Sequence, residues 1–298
     1  MKKVRFNREQ SFETVKKLVC ENLVSFGIEA EEAAAEFDIM IEFLTGLRRS
    51  QIMLGANVEL SEEQLVQLDS FVDKREQRIP IQYILEETYF MGLRLKVRQG
   101  VFIPRPDTET LVEVSLAKLK QLYGHEKIWM LEIGSGSGAI PVSLLKNLPN
   151  LRAVSLDVNK LALALSRENA VLHEVDWRLE LVHESEWWKI GRKFQALITN
   201  PPYIPRHQQA TLQPEVGLHE PELALFGTDD DGLGFYRQIC THAEDVVMAG
   251  GLIAVEVGDD QGEPVRELFC NAGFAAVQTH KDLNGIVRVV SALIATRE

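Results

Sequence analysis

Ile128-Trp129-Met130-Leu131-Glu132-Ile133-Gly134-Ser135-Gly136-Ser137-Gly138-Ala139 runs from an apolar stretch directly into three glycines at alternate positions. The segment reads as a strand over Ile128–Ile133, a tight turn, and a helix that begins near Ala139 and continues over 139–148. Glycine at such a turn lets the backbone pass close to a ligand where a Cβ would collide. Further strands are expected over 153–157, 179–182, 196–199, 252–257 and 287–294, with apolar helical stretches such as 161–169 between several of them. Strands that alternate with helices predict an α/β, Rossmann-like fold, a mostly parallel sheet covered on both faces. In such a sheet ligands bind outside the carboxyl ends of the strands, where the glycine loop falls.

The second strand ends on Asp157. A carboxylate there can accept charge-assisted hydrogen bonds from both hydroxyls of a ribose. These two features leave the cofactor open. Gly134-x-Gly136-x-x-Ala139 also satisfies the dinucleotide fingerprint, with an acid at about the expected distance, so a nicotinamide and S-adenosylmethionine fit equally well.

Asn200-Pro201-Pro202-Tyr203 separates them. It follows the apolar strand 196–199, so it too lies at the carboxyl end of the sheet. Each residue before a proline is driven to an extended conformation, which holds Asn200 and Pro201 extended. The Asn200 side-chain oxygen and the Pro201 carbonyl can then accept the two N–H bonds of one NH2 group, while Tyr203 offers an aromatic face. That geometry suits an NH2 on a planar, conjugated carbon: an amide, or the exocyclic amine of a base. Its lone pair is delocalised, and two acceptors gripping its hydrogens orient it for in-line attack on the methyl of a sulfonium. Positioning of this kind can supply much of the barrier reduction, so no metal or strong base is required. A lone Pro-Pro after a strand is usually only a rigid turn; downstream of the glycine loop and Asp157, the functional reading is favoured.

Upstream of the sheet the texture is helical. Val15, Leu18, Val19, Leu23 and Phe26 fall near a 3.6-residue stripe, and Phe37, Met40, Ile41 and Leu44 continue it. Ser61-Glu62-Glu63-Gln64 fits a capping box ahead of Leu65, Leu68 and Val72. Tyr89-Phe90-Met91, Gly92 and Leu93–Val97 (89–97) read as a β-hairpin, closed off by Pro104-Arg105-Pro106. The expected organisation is a helical domain over 1–78, which the pattern allows to be either a structural appendage or a substrate-docking domain, a β-hairpin linker over 79–106 and the catalytic domain over 107–298.

The net charge of −12 lowers the expectation of a nucleic-acid substrate, which usually meets a basic excess. The three cysteines are far apart and form no C-x-x-C pair, and the histidines lack ligand spacing, so no disulfide frame or zinc site is expected and the compartment reads as cytoplasmic. The N-terminus is basic with no apolar stretch behind it, so no secretory signal is expected, and no apolar run approaches the length of a membrane span.

Taken together, the glycine loop, Asp157 and Asn200 to Tyr203 resemble the PrmC (HemK) release factor glutamine methyltransferases. The resemblance extends to Phe90-Met91-Gly92-Leu93, Ile103-Pro104-Arg105-Pro106-Asp107-Thr108-Glu109, His219-Glu220-Pro221 and Asp282-Leu283-Asn284-Gly285. It implies a seven-stranded class I methyltransferase domain behind a helical bundle. It also implies methyl transfer from S-adenosylmethionine, leaving S-adenosylhomocysteine, to the glutamine amide of the Gly-Gly-Gln motif in bacterial class-one release factors. By that resemblance Gly134, Ser135, Gly136, Ser137 and Gly138 shape the cofactor pocket with Asn200 beside it, and Asp157 holds the ribose. Asn200, Pro201, Pro202 and Tyr203 take the amide. Two positions depart from the family pattern. Asp107 stands where glutamate is usual, and in Glu184-Ser185-Glu186-Trp187-Trp188 ungapped spacing puts Ser185 at the aromatic position beside the adenine, whereas a two-residue slip recruits Trp187. The rivals are a ribosomal-protein glutamine methyltransferase, an adenine-N6 methyltransferase, a non-catalytic translation-factor binding protein and, least favoured, a nicotinamide oxidoreductase.

Overall fold

The computed structural model describes residues 5–54 and 56–296, and the chain divides into two compact units at Glu86/Glu87. The first unit is helical: α1 Phe12–Ser25, α2 Ala30–Thr45, α3 Arg49–Met53, α4 Glu62–Arg75 and α5 Ile81–Leu85. Ser11 caps α1 by accepting from the Thr14 N–H. The capping box at α4 forms as its spacing requires, with the Ser61 N–H donating to Gln64 Oε1 at 2.8 Å and the Gln64 N–H donating to Ser61 Oγ at 3.2 Å. Val15, Val19 and Leu23, at intervals of four, line the buried face with Phe37, Met40, Ile41, Leu65, Leu68 and Val72. Leu18 sits on the flank of α1 and Phe26 lies beyond its last turn, so both are exposed.

An ion pair lies inside this helical core. Arg75 on α4 is fully buried and donates from Nε to Glu36 Oε2 on α2 at 2.8 Å and from a guanidinium nitrogen to the Ile79 carbonyl at 2.9 Å.

The second unit opens with the hairpin β1 Glu87–Phe90 and β2 Leu93–Lys96. Its two-residue turn has φ of 50° at Met91 and 71° at Gly92, the left-handed pair that matches strand twist. Met91 adopts this disfavoured conformation while its N–H is held by the Glu109 carboxylate. There follow α6 Asp107–Tyr123, β3 Ile128–Ile133, α7 Ala139–Asn147, β4 Leu151–Asp157, α8 Lys160–Leu172, β5 Leu179–His183 and β6 Phe194–Thr199. The short helices α9 Pro214–His219 and α10 Glu222–Leu225 precede α11 Gly234–Val246, β7 Val247–Glu256, α12 Gly262–Asn271, β8 Ala275–Lys281 and β9 Val287–Leu293.

Among the described residues β3 to β9 form a seven-stranded sheet in the order β5-β4-β3-β6-β7-β9-β8, parallel throughout except for β9. Alternate side chains of a strand point to opposite faces. Met130 joins one core cluster with Leu111, Val142 and Ala196, whereas its neighbour Leu131 joins the other with Tyr236, Ile239 and Phe269. Burial on both faces explains why the central strands read as continuous apolar runs. Strand β8 lies at the sheet edge and carries Gln278, His280 and Lys281, mostly exposed, so apolar patterning does not mark it.

Breaking a buried ion pair strands the remaining charge, at a cost of about 3–5 kcal/mol. Glu36→Ala should therefore lower the unfolding free energy by that amount in chemical denaturation, and replacing both partners with methionine should recover most of it. An unchanged single variant would show that the pair contributes no net stability.

Candidate active site

The register of three strands brings the motifs together. Ile133 at the end of β3 pairs with Leu156 of β4 on one side and with Thr199 of β6 on the other. Gly134, Asp157 and Asn200 are the next residues of their three strands, so they emerge side by side from one edge. Thr199 adds a cross-strand bond, its hydroxyl donating to the Ile133 carbonyl at 2.7 Å.

The glycine loop folds back on β4. The Gly134 and Ser135 N–H groups both donate to the Leu156 carbonyl, and the Gly136 N–H donates to Asp157 Oδ2 at 2.9 Å. The other carboxylate oxygen of Asp157 accepts from the Asn159 N–H at 2.8 Å. Burial raises the pKa of Asp157, and these backbone bonds pull against that shift. Each oxygen keeps a second lone pair for an incoming hydroxyl. Gly138, with φ of 82°, opens α7, and a Cβ there would lie 2.6 Å from Ser166 Oγ on α8. Glycine is required at this close approach. A Cβ on Gly136 would meet nothing within 4 Å, so space remains beside Asp157. Ser135 and Ser137 are buried, and the Ser135 hydroxyl has no hydrogen-bond partner among the described residues. The open space, the half-buried carboxylate and the buried Ser135 hydroxyl fit a nucleoside-bearing ligand such as S-adenosylmethionine.

Across the edge, Asn200 is half-buried and Pro201 buried, followed by the half-buried Pro202 and Tyr203. Asn200 Nδ2 donates to Thr108 Oγ1, on the first turn of α6, at 3.1 Å. The Tyr203 carbonyl accepts from Gln261 Nε2 at 2.9 Å, which ties the loop to the segment after β7. Burial, then the charge of Glu256, pushes the Tyr203 phenol well above its ordinary value, so it presents a neutral ring.

Two acids lie beneath these loops. Glu132 on β3 is fully buried, accepts from the Ser155 hydroxyl and leaves Oε1 without a partner among the described residues. Burial, opposed by the Ser155 bond and reinforced by Asp157, drives its pKa well above the usual carboxylate range. Glu256 ends β7, one residue past Val255, which pairs with Thr199. It therefore stands beside Asn200. Its pKa is pushed up to about 7, by burial first, with the Thr108 hydroxyl, Arg288 and the Asn200 amide opposing and Asp107 reinforcing. Thr108 and Glu256 are the neighbours of Asn200 that motif reading passes over, although an acid closing the apolar run 252–255 is a visible anomaly.

Elsewhere, Asp107 pairs with Arg288 at 2.9 Å. Trp187 is turned into the core, 1% exposed, edge-on to Trp188 and to His242 of α11, while Ser185 is exposed. Among the described residues no group of three or more His, Cys, Asp or Glu side chains could hold a metal ion, and no helix is long and apolar enough to cross a membrane.

Residues 21–85 match the PrmC N-terminal domain and residues 93–217 the methyltransferase small domain. A methyltransferase from Pyrococcus furiosus shares the fold, with a TM-score of 0.50 at 15% identity, covering 69% of this chain and 91% of its own. The release factor glutamine methyltransferase of Caulobacter vibrioides is 37% identical over 87% of this chain and 89% of its own length. That of Geobacter sulfurreducens is 37% identical over 89% and 90%. With identities of this size over most of both chains, the protein belongs to the family of release factor glutamine methyltransferases.

Proposed function

We propose that this chain transfers a methyl group from S-adenosylmethionine to the side-chain amide nitrogen of the glutamine in the Gly-Gly-Gln motif of bacterial class-one peptide chain release factors. The supporting observation is the convergence of the glycine loop, Asp157 and Asn200 at the ends of three adjacent strands. The names of the relatives supply the acceptor.

When bound, S-adenosylmethionine supplies an electrophilic methyl and leaves as S-adenosylhomocysteine. The residues of the chain bind and orient. Asp157 accepts from the ribose hydroxyls, and Gly134 to Gly138 leave room for the methionine end. Asn200 Oδ1 and the Pro201 carbonyl each accept one N–H of the glutamine amide, and Pro202 and Tyr203 wall the planar group. Fixing the nitrogen in line with the methyl lowers the barrier by positioning. The helical unit is the docking module for the body of the release factor. One planar amide offers too little contact to choose a single glutamine among many, so selectivity comes from surface remote from the reacting atoms. Each unit has a core of its own, which suits that division of labour.

Three outcomes are expected. Hydrogen bonds to a charged group contribute about 1.5–3 kcal/mol, so Asp157→Ala should weaken S-adenosylmethionine binding about ten- to a hundredfold in titration calorimetry; unchanged affinity would remove Asp157 from the ribose. Asn200→Ala should bind the cofactor nearly as well as wild type but lose far more in methyl transfer at saturating cofactor, since its grip matters most in the transition state. Transfer near the wild-type rate would refute the amide grip. A fragment of residues 87–298 that retains cofactor affinity should methylate an intact release factor no better than a short Gly-Gly-Gln peptide; full activity would make the helical unit a structural appendage.

A further inference from the structure

We propose that Glu256 is a positioning residue of this reaction: with Thr108 it fixes the Asn200 side-chain amide so that its NH2 points inward and its oxygen faces the acceptor. The inference rests on the methyl-transfer reading above and extends it to a residue outside the Asn200 to Tyr203 motif.

An asparagine amide has two nearly isosteric orientations related by a half-turn, and only one serves here. With the oxygen outward, Asn200 accepts an N–H from the glutamine. With the NH2 outward, donor meets donor and the grip is lost. Something on the inner side must choose. An ionised carboxylate accepts hydrogen bonds and cannot donate, so an amide beside it must turn its NH2 towards it. Glu256 stands in that place, 2% exposed and one residue past Val255, which pairs with Thr199, and the Asn200 amide and the Thr108 hydroxyl both favour its ionised form. The Thr108 oxygen already accepts from Asn200 Nδ2 at 3.1 Å, which leaves its own proton for Glu256. On the inner side the donor direction is set from Asn200 to Thr108, and the Thr108 proton is free to turn towards the carboxylate.

The arrangement costs stability. Glu256 Oε2 is buried without a hydrogen-bond partner among the described residues, a placement that a purely structural core position would avoid. Several groups face it. Arg288 of β9 lies near, itself paired with Asp107, Asp259 and Asp282. Asp107 of α6 opposes ionisation. Tyr203 and Tyr236 are both pushed upward by burial and stay neutral, and the Tyr236 hydroxyl donates to the Glu256 backbone carbonyl at 2.8 Å. Glu256, pushed up to about 7, changes charge near neutrality. A carboxyl whose pKa is raised in the folded state binds more protons folded than unfolded. Its stabilising contribution is therefore full below the ordinary carboxylate range and is lost as pH rises to about 7. Above that pH the ionised group costs stability and orients Asn200. Below it the protonated group can donate, and the flipped amide becomes tolerable.

Glu256→Gln, Thr108→Val and Thr108→Ser test this in the full-length protein. Glu256→Gln removes the acceptor-only constraint and also the buried charge. It should lower kcat on the release factor by at least about tenfold with S-adenosylmethionine affinity unchanged, yet melt no lower than wild type at pH 8. The wild-type kcat should rise with pH through an inflection near 7, absent in Glu256→Gln. Thr108→Val should lose kcat similarly, whereas Thr108→Ser should keep most of it. The Asn200 side-chain amide resonances, identified by their absence in Asn200→Ala, should titrate with the same midpoint in wild type and not in Glu256→Gln. This readout needs no activity, so a wild type inactive on release factors would overturn the proposed reaction while the resonances still decide the orientation. Wild-type kcat in Glu256→Gln, a kcat loss matched by a lower melting temperature at pH 8, or Asn200 resonances that ignore Glu256 would each overturn the proposal.

Discussion

Ile133 is held between Leu156 and Thr199, and most of the site follows from that pairing. Parallel strands in this register end at one level, and what comes after each of them is forced into the same space. A one-residue slip in a pleated strand would also turn its side chains to the opposite face, burying polar groups and exposing apolar ones. The register is therefore fixed by the core on both faces, and the catalytic edge inherits its precision from hydrophobic packing some distance away. Because β3 connects outward to β4 and β5 on one side and the chain returns to place β6 and β7 on the other, the loops after β3 and β6 diverge and leave a crevice between them.

Within that frame short polar bonds hold the loops. Asp157 accepts from the Gly136 and Asn159 N–H groups and so shapes the glycine loop whether or not a ribose is present. Gly138 lets α7 and α8 approach, since a Cβ would collide with Ser166. Gln261, in the segment after the adjacent strand β7, holds the Tyr203 carbonyl. Rigid positioning of this kind is what a reaction without a strong base requires, since the acceptor nitrogen must be oriented rather than deprotonated in advance.

Much of this was legible in the amino-acid sequence because the relevant signals are local. The run from Ile128 to Ala139 announces strand, turn and helix; Asp157 closes an apolar strand; Asn200 to Tyr203 restrict one another through proline; Ser61 and Gln64 cap a helix three residues apart. What was not legible depends on partners remote in sequence. Thr108 and Glu256 meet Asn200 only through the fold, over separations that no pattern along the chain records. Strand β8 is an exposed edge with polar residues, so neither alternation nor an apolar run marks it. Trp187 and Trp188 are adjacent aromatics, and only packing against α11 decides that the first is buried and the second stacks on His242 at 4.6 Å.

The two buried acids share a physical logic with the glycines. An apolar residue at 132 or 256 would satisfy the core better than a carboxyl with an unpartnered oxygen. Both lie at or next to the carboxyl ends of their strands, Glu132 one residue short of the end of β3 and Glu256 at the end of β7. Each of these two acids thus sits near the edge where the sheet meets its ligands, on a strand whose buried residues are otherwise apolar. A fold stabilised by some twenty buried apolar side chains on each sheet face can carry such local cost. It does so at the edge where a group that accepts hydrogen bonds, and cannot be replaced by methylenes, decides which way a neighbouring amide points.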